Sequence, residues 1–250
     1  MTQADRARDF AAMHQKGNPL VLYNIWDAGG ARAIADEGAK AIATGSWSVA
    51  AAHGYDDGQA IPLELLELIV GRIVQSVDLP VSVDFEGAYA VAPADVAANV
   101  ARIIATGAVG INFEDQIVGG DDLHSITDQA ARIAAARAAT DVPIFINART
   151  DLFLKEEDPS KHAALINEAK ERATAYAEAG ASGIFIPGLA DLKLIAEFCD
   201  ATALPVNVMM SPNQADFAEL ANVGIARASH GPYPYFDAIE ELKTRYWDSI

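Results

Sequence analysis

Four segments of this chain begin with proline and run on into apolar residues: Pro19-Leu20-Val21-Leu22, Pro80-Val81-Ser82-Val83, Pro143-Ile144-Phe145-Ile146 and Pro205-Val206-Asn207-Val208. Their prolines fall 61, 63 and 62 residues apart. Between them lie four segments led by glycine: Gly38-Ala39-Lys40-Ala41-Ile42, Gly107-Ala108-Val109-Gly110-Ile111, Gly180-Ala181-Ser182-Gly183-Ile184 and Gly224-Ile225-Ala226-Arg227. Glycine suits the left-handed residue that ends a helix. Proline suits the first residue of a strand, where no ladder donor is needed. The chain therefore reads as eight strands entered in two alternating ways. They lack strict apolar/polar alternation, as expected of parallel strands buried on both faces.

Helical patterns fill the intervals. Pro62 opens one, with Leu66, Ile69, Val70, Ile73 and Val77 on one face, and Pro93 opens another, with Val96, Val100, Ile103 and Ile104 inward. Ser125 and Asp128 form a capping-box pattern before Ile126, Ala130 and Ile133. Residues 160–179 are rich in alanine and glutamate, shorter helices are predicted near 191–199 and 216–221, and a last one over 235–247. Eight βα units in 250 residues match the arithmetic of a (β/α)8 TIM barrel. A doubly wound open sheet is the rival architecture, and the regular period favours closure. No linker or low-complexity stretch divides the chain, so one barrel domain is expected over 1–250.

Lys and Arg number 18 against 35 Asp and Glu, a formal net charge of -17. Such a surface repels nucleic-acid phosphates and anionic membranes, but leaves room for a small anion where an arginine or metal inverts the local field. The one cysteine, Cys199, cannot form an intrachain disulfide and suits a helix core. No signal-peptide core opens the chain, and no apolar run approaches the roughly 18 residues of a membrane span. A soluble cytoplasmic protein is the expectation.

In a barrel of this kind the chemistry sits at the C-terminal ends of the strands. Three of those ends are acidic: Asp84-Phe85-Glu86, Glu114-Asp115, and Asn147-Ala148-Arg149-Thr150-Asp151. Burying carboxylates is costly unless a cation compensates them, and several converging at strand ends suggest a hard divalent ion with oxygen ligands. Arg149 suits a bidentate contact to a substrate carboxylate, or an ion pair with Asp151 or Glu114. Thr44-Gly45-Ser46 offers backbone N–H groups and a hydroxyl to an anion. Asn207 ends the seventh strand as a further polar candidate for the substrate. His230, after the eighth strand, reads as proton donor, substrate ligand or structural residue. Trp26 and Trp47 are pocket walls or ordinary packing.

Taken in order, Thr44-Gly45-Ser46, Gly54-Tyr55-Asp56-Asp57, Val83-Asp84-Phe85-Glu86, Phe113-Glu114-Asp115-Gln116 and Asn147-Ala148-Arg149-Thr150-Asp151 make the chain similar to the isocitrate lyase/phosphoenolpyruvate mutase superfamily over nearly its whole length. The resemblance implies a barrel that uses Mg2+, or Mn2+ in its place, on 2-oxo acids or dicarboxylates through a pyruvate-like enolate. It implies Asp84 as the most direct metal ligand, with Asp57, Glu86 and Glu114 acting largely through water. It implies that Ser46 and Arg149 hold the substrate carboxylate, and that the protein is a homo-oligomer, a tetramer or dimer, exchanging its C-terminal helices. The aromatic tail of Tyr233, Tyr235, Phe236, Tyr246 and Trp247 suits such packing, or closure of the chain's own barrel.

Two departures from the family pattern matter. Its lyases carry a Lys-Lys/Arg-Cys-Gly-His loop after the Glu-Asp pair, where this chain reads Gly120-Asp121-Asp122-Leu123-His124, so only His124 corresponds. The Lys-x-Asn-Ser loop of its mutases is absent as well. Arg149, Glu114, Asp57, His124 and His230 are thus the candidate catalytic groups. A lyase working through an enolate is expected, by decarboxylation or by carbon–carbon cleavage. The alternatives are phosphorus–carbon chemistry of the mutase type and a degenerate barrel that only binds a small acid.

Overall fold

A computed structural model describes residues 1–250 and carries a strand at each of the eight expected places. These are β1 (Leu20–Leu22), β2 (Ile42–Ala43), β3 (Val81–Asp84), β4 (Gly110–Glu114), β5 (Phe145–Arg149), β6 (Gly183–Phe185), β7 (Val206–Met209) and β8 (Arg227–Ser229). All pair in parallel, in the order β1-β8-β7-β6-β5-β4-β3-β2. The ring is nearly closed: β1 and β2 meet beyond their ends through a single parallel bridge, Ile25 to Thr44. The helices are α1 (Gln3–Ala12), α2 (Ala28–Asp36), α3 (Ser46–Ala52), α4 (Leu63–Ser76), α5 (Pro93–Ala105) and α6 (Ile126–Ala138). They continue with α7 (Leu152–Lys155), α8 (His162–Glu178), α9 (Leu192–Ala201), α10 (Phe217–Asn222) and α11 (Tyr233–Asp248). None is long and apolar enough to cross a membrane.

The predicted inward faces of α4 and α5 are buried, apart from Val77, which has become the C-cap of α4. In α6 the face is rotated. Ser125 caps the helix as expected, but Gln129, Arg132, Ile133 and Ala136 point inward. The two polar residues go inside because backbone carbonyls wait for them there. Gln129 donates to the Glu114 carbonyl at 3.1 Å, and Arg132 to those of Gly87 and Ala90 at 2.8 and 3.0 Å.

Helix α1 was not visible as an apolar stripe, yet it carries a full capping box between Thr2 and Asp5. It closes the N-terminal end of the barrel. Phe10 meets Phe145 edge-on at 5.6 Å, and His14 stacks on Phe145 at 3.9 Å. Burial and the charge of Arg227 push the His14 pKa down to about 3, so this ring is neutral packing material.

Above this plug lies a polar layer. Asn112 accepts from Asn147 at 2.9 Å and from Arg227 at 3.1 Å, while Arg227 and Asn207 both donate to Ser229, at 3.0 and 3.1 Å. Arg227, only 1% exposed, is the largest fully buried side chain of the molecule.

The final helix departs from the ring. Its first turns pack on the rim, with Phe236 4.5 Å from Trp47 and Tyr235 5.0 Å from Trp26. Beyond them Leu242, Tyr246, Trp247 and Ile250 are exposed. The outer face of β1 is left uncovered at Val21 and Tyr23, beside a groove of about 780 Å³ lined also by Met13, Pro19, Ala39 and Phe217.

Candidate active site

A cavity of about 180 Å³ opens at the C-terminal ends of the strands. One side is polar: Asn24, Ser46, Asp57, Asp84, Asn112 and Arg149 line it. Asp84 is its most constrained member. Its backbone N–H donates to Thr44 Oγ1 at 3.0 Å, and its Oδ2 accepts from the Ser46 amide at 3.0 Å and the Ser46 hydroxyl at 2.9 Å. Asn112 approaches Oδ1 at 3.4 Å. Because Asn112 already accepts from Asn147 and Arg227 through its oxygen, its amide nitrogen is the end that faces Asp84.

Further carboxylates surround this one. Glu86 is buried and accepts from the amides of Gly58 at 3.0 Å and Gln59 at 2.9 Å, which ties the loop carrying Asp57 to the turn after β3. Glu114 is buried and pairs with Arg149 at 3.0 Å, while Asp151 grips the same guanidinium in two bonds of 2.6 and 2.9 Å. The electrostatics record the crowding. Burial, then the charges of Asp57 and Asp84, push Glu86 up to about 7. Burial and Asp84 raise Asp57. Burial raises Glu114 well above the carboxylate range against the pull of Arg149, with Asp151, Asp84 and Glu86 adding to the rise. Burial alone would lower Arg149, and the charges of Asp151, Glu114 and Asp84 more than reverse it.

No three His, Cys, Asp or Glu side chains stand close enough to ligate one ion directly. The donor set is nonetheless all oxygen and short of positive charge. That chemistry suits a small hard cation which keeps several waters and binds through one or two carboxylates.

The turn after β3 is unusual. Glu86, Ala88 and Tyr89 hold φ of 49°, 59° and 55°, left-handed values rare outside glycine. Outside braces hold them there: Asn99 donates to the carbonyls of Ala88 and Tyr89 at 3.0 and 3.3 Å, Arg132 clamps those of Gly87 and Ala90, and the Tyr89 amide donates to Gln59.

Three other expected residues, His124, His230 and Asn207, lie outside the cavity lining. His124 sits at the root of the 115–124 loop. Its amide donates to the Asp115 carbonyl at 2.7 Å, its own carbonyl accepts from Arg172 at 3.0 Å, and its ring lines surface recesses shared with Val91 and Arg132. His230 follows inward-facing Ser229 and turns outward against Tyr23, 5.0 Å between ring centres. Asn207 belongs to the buried layer beneath, bonded to Ser229. The side chain of Thr44 is spent on Asp84, and Gly45 lines the wall as bare backbone.

Several lining residues had been assigned no particular role from the sequence. Asn24 donates to the Thr44 carbonyl at 2.7 Å and accepts from the Gly231 amide at 3.0 Å, spanning the open seam of the ring. The opposite wall is apolar, formed by Leu154, Phe185, Pro187 and Met209 with Trp47 at the mouth. Gly231 has φ of 56°, and a Cβ there would stand 2.9 Å from the Met209 sulfur.

A family model described as phosphoenolpyruvate phosphomutase matches residues 10–247. The 2-methylisocitrate lyase of Escherichia coli (strain K12) is 31% identical over 206 residues, 79% of this chain and 67% of that one. The oxaloacetate decarboxylase of Pseudomonas savastanoi pv. phaseolicola is 28% identical over 250 residues, 94% of this chain and 82% of that one. A crystal structure from Burkholderia cenocepacia J2315, of a protein provisionally described as a phosphonomutase, superposes with a TM-score of 0.96 at 45% identity, covering 99% of this chain and 100% of that one.

Proposed function

The chain belongs to the phosphoenolpyruvate phosphomutase family, whose named relatives here are lyases and mutases, and from that premise we propose a Mg2+-dependent lyase that acts on a small 2-oxo acid through an enolate. The observation that carries the proposal is the setting of Asp84, fixed by two Ser46 donors, ringed by Asp57, Glu86 and Glu114, and faced by Arg149.

In this reading Asp84 holds the metal most directly, and Asp57, Glu86 and Glu114 hold its waters. Mn2+ serves in its place. The divalent ion, when bound, supplies positive charge where the 2-oxo oxygen becomes negative. Ser46 keeps Asp84 oriented. Arg149 is charged throughout, and the N–H groups left over from Glu114 and Asp151 bind the substrate carboxylate. Among the lining groups Asp57 is the acid with a raised pKa, so it is the one suited to hold and return a proton. Neither His124 nor His230 lines the cavity. Either loss of CO2 or cleavage of a carbon–carbon bond leaves the same enolate.

The test is pyruvate release with and without Mg2+ from oxaloacetate, 4-hydroxy-2-oxo acids and 2-methylisocitrate, for wild type and Asp84→Ala. We expect Mg2+-dependent release that falls by at least ~100-fold in the variant, as for loss of a group aimed at developing charge. Equal rates on every substrate would sink the enzyme reading in favour of a binding barrel. A mutase remains the second reading, favoured by the Burkholderia likeness. Interconversion of phosphoenolpyruvate and phosphonopyruvate, followed by 31P NMR, would establish it instead.

A further inference from the structure

The cavity has two chemically distinct halves. The ends of β2, β3 and β4 supply Ser46, Asp84 and Asn112, and Arg149 on β5 stands at the border. From there round to β7 the wall is Leu154, Phe185, Pro187 and Met209, with no charge and no side-chain hydrogen-bond donor. Arg149 is the one base that lines the cavity, and Glu114 and Asp151 already draw on it.

Other cations nearby stay outside the cavity lining. Arg227 lies beneath the floor, fully buried, bonded through Nε to Ser229 on β8 and through Nη2 to Asn112 on β4. Lys155 follows Leu154, but its ammonium turns away to the Gly120 carbonyl at 3.2 Å. A second carboxylate or a phosphonate set against Leu154 and Met209 would therefore lose its hydration with no cation in return. An apolar group there gains about fourfold in affinity for each methylene it buries.

Resting on the proposal that the metal face takes a 2-oxo carboxylate, we infer that the far end of the ligand is an uncharged alkyl or aryl group. The ligand class is thus a 2-oxo monocarboxylate with an apolar substituent. Oxo-dicarboxylates and phosphonates are the disfavoured classes, and of the two routes to the enolate this leaves cleavage of a 4-hydroxy-2-oxo acid, because loss of CO2 needs a second carboxylate. The cavity volume limits that substituent to a few carbons, well below the pockets of drug-sized ligands.

Calorimetric titration of the full-length protein in Mg2+ tests this with four probes. Oxalate reports the metal face alone. Pyruvate, 2-oxopentanoate and 2-oxoglutarate share that face and differ only in the far end. We expect Mg2+-dependent oxalate binding, 2-oxopentanoate at least tenfold tighter than pyruvate, and 2-oxoglutarate at least tenfold weaker than 2-oxopentanoate. Met209→Lys, checked for folding by its melting curve, should bring the last two to parity or reverse them. If 2-oxoglutarate binds as tightly as 2-oxopentanoate to the wild type, or pyruvate does, the inference falls while the metal-face reading stands. If oxalate shows no Mg2+-dependent binding, both fall.

Discussion

Glu86 shows what crowding does to one residue. Its folded pKa of about 7 lies above the ordinary 4.5, so the fold disfavours its charged form. The penalty is absent below about pH 4.5, grows as pH rises towards 7, and is full above that, at about 3 kcal/mol. Without a divalent ion, stability should therefore drop between about pH 5 and pH 8. Glu86→Gln should flatten that fall, and Mg2+ should raise the melting temperature most at the alkaline end. Melting curves across pH, with and without Mg2+, would show it, and a wild type indistinguishable from Glu86→Gln would refute it. Asp84, Glu86, Glu114 and Arg149 were legible in the sequence because each ends or directly follows a strand whose apolar run announces it, whereas Asp57, between α3 and α4, came only with the family resemblance. Arg227 and Asn24 were not, because their partners lie elsewhere in the chain: Asn112 for Arg227, Thr44 and Gly231 for Asn24. His124 matched a motif by position, but the loop around it is built differently and carries the ring to another face.

At the scale of elements, strand positions were readable from period and punctuation, while helix facing was readable only where the inward side is apolar. Helix α6 escaped because Gln129 and Arg132 answer carbonyls on the turn after β3 and at the end of β4. The 115–124 loop has a similar hidden anchor. Asp115 is fully buried and receives Arg172 at 3.1 Å, the Tyr176 hydroxyl at 2.8 Å and the Asp151 amide at 3.0 Å. From these roots the strands of the loop pair, Gln116 with Leu123. Breaking a buried pair from one side leaves the other charge stranded, at about 3 kcal/mol. Arg172→Met should cost that much in chemical denaturation and speed hydrogen exchange across 116–123. Exchange unchanged in that segment would mean that the loop is held by something else.

For the whole molecule, the eightfold alternation leaves one place unfilled. Seven strands are followed by helices that pack on the ring, whereas α11 turns outward and the outer face of β1 lies bare. We propose that a second copy resolves both, each α11 covering the groove at Val21 and Tyr23 of its neighbour. Leu242, Tyr246, Trp247 and Ile250 supply the apolar face, and burying even half of it would be worth several kcal/mol at about 25 cal/mol per Å². Light scattering should find a dimer or tetramer, and removal of residues 241–250 should yield monomers. A monomeric wild type would reject the exchange and leave the groove for another partner. In the residues themselves only an aromatic tail was legible, and the exchange came with the family resemblance, since an amphipathic helix reads the same whether its cover is its own chain or another.

Asn24 links these scales. It joins the loop after β2 to the loop after β8 across the gap where β1 and β2 share one bridge. The mouth of the cavity is therefore also the clasp of the ring. Assembly of the barrel and assembly of the pocket are one event: a chain whose last turn of the ring has not docked has no complete pocket to offer. Conversely, any molecule that settles between Asn24, Ser46 and Gly231 acts as an extra rung, drawing together the two strands that the backbone leaves nearly unjoined.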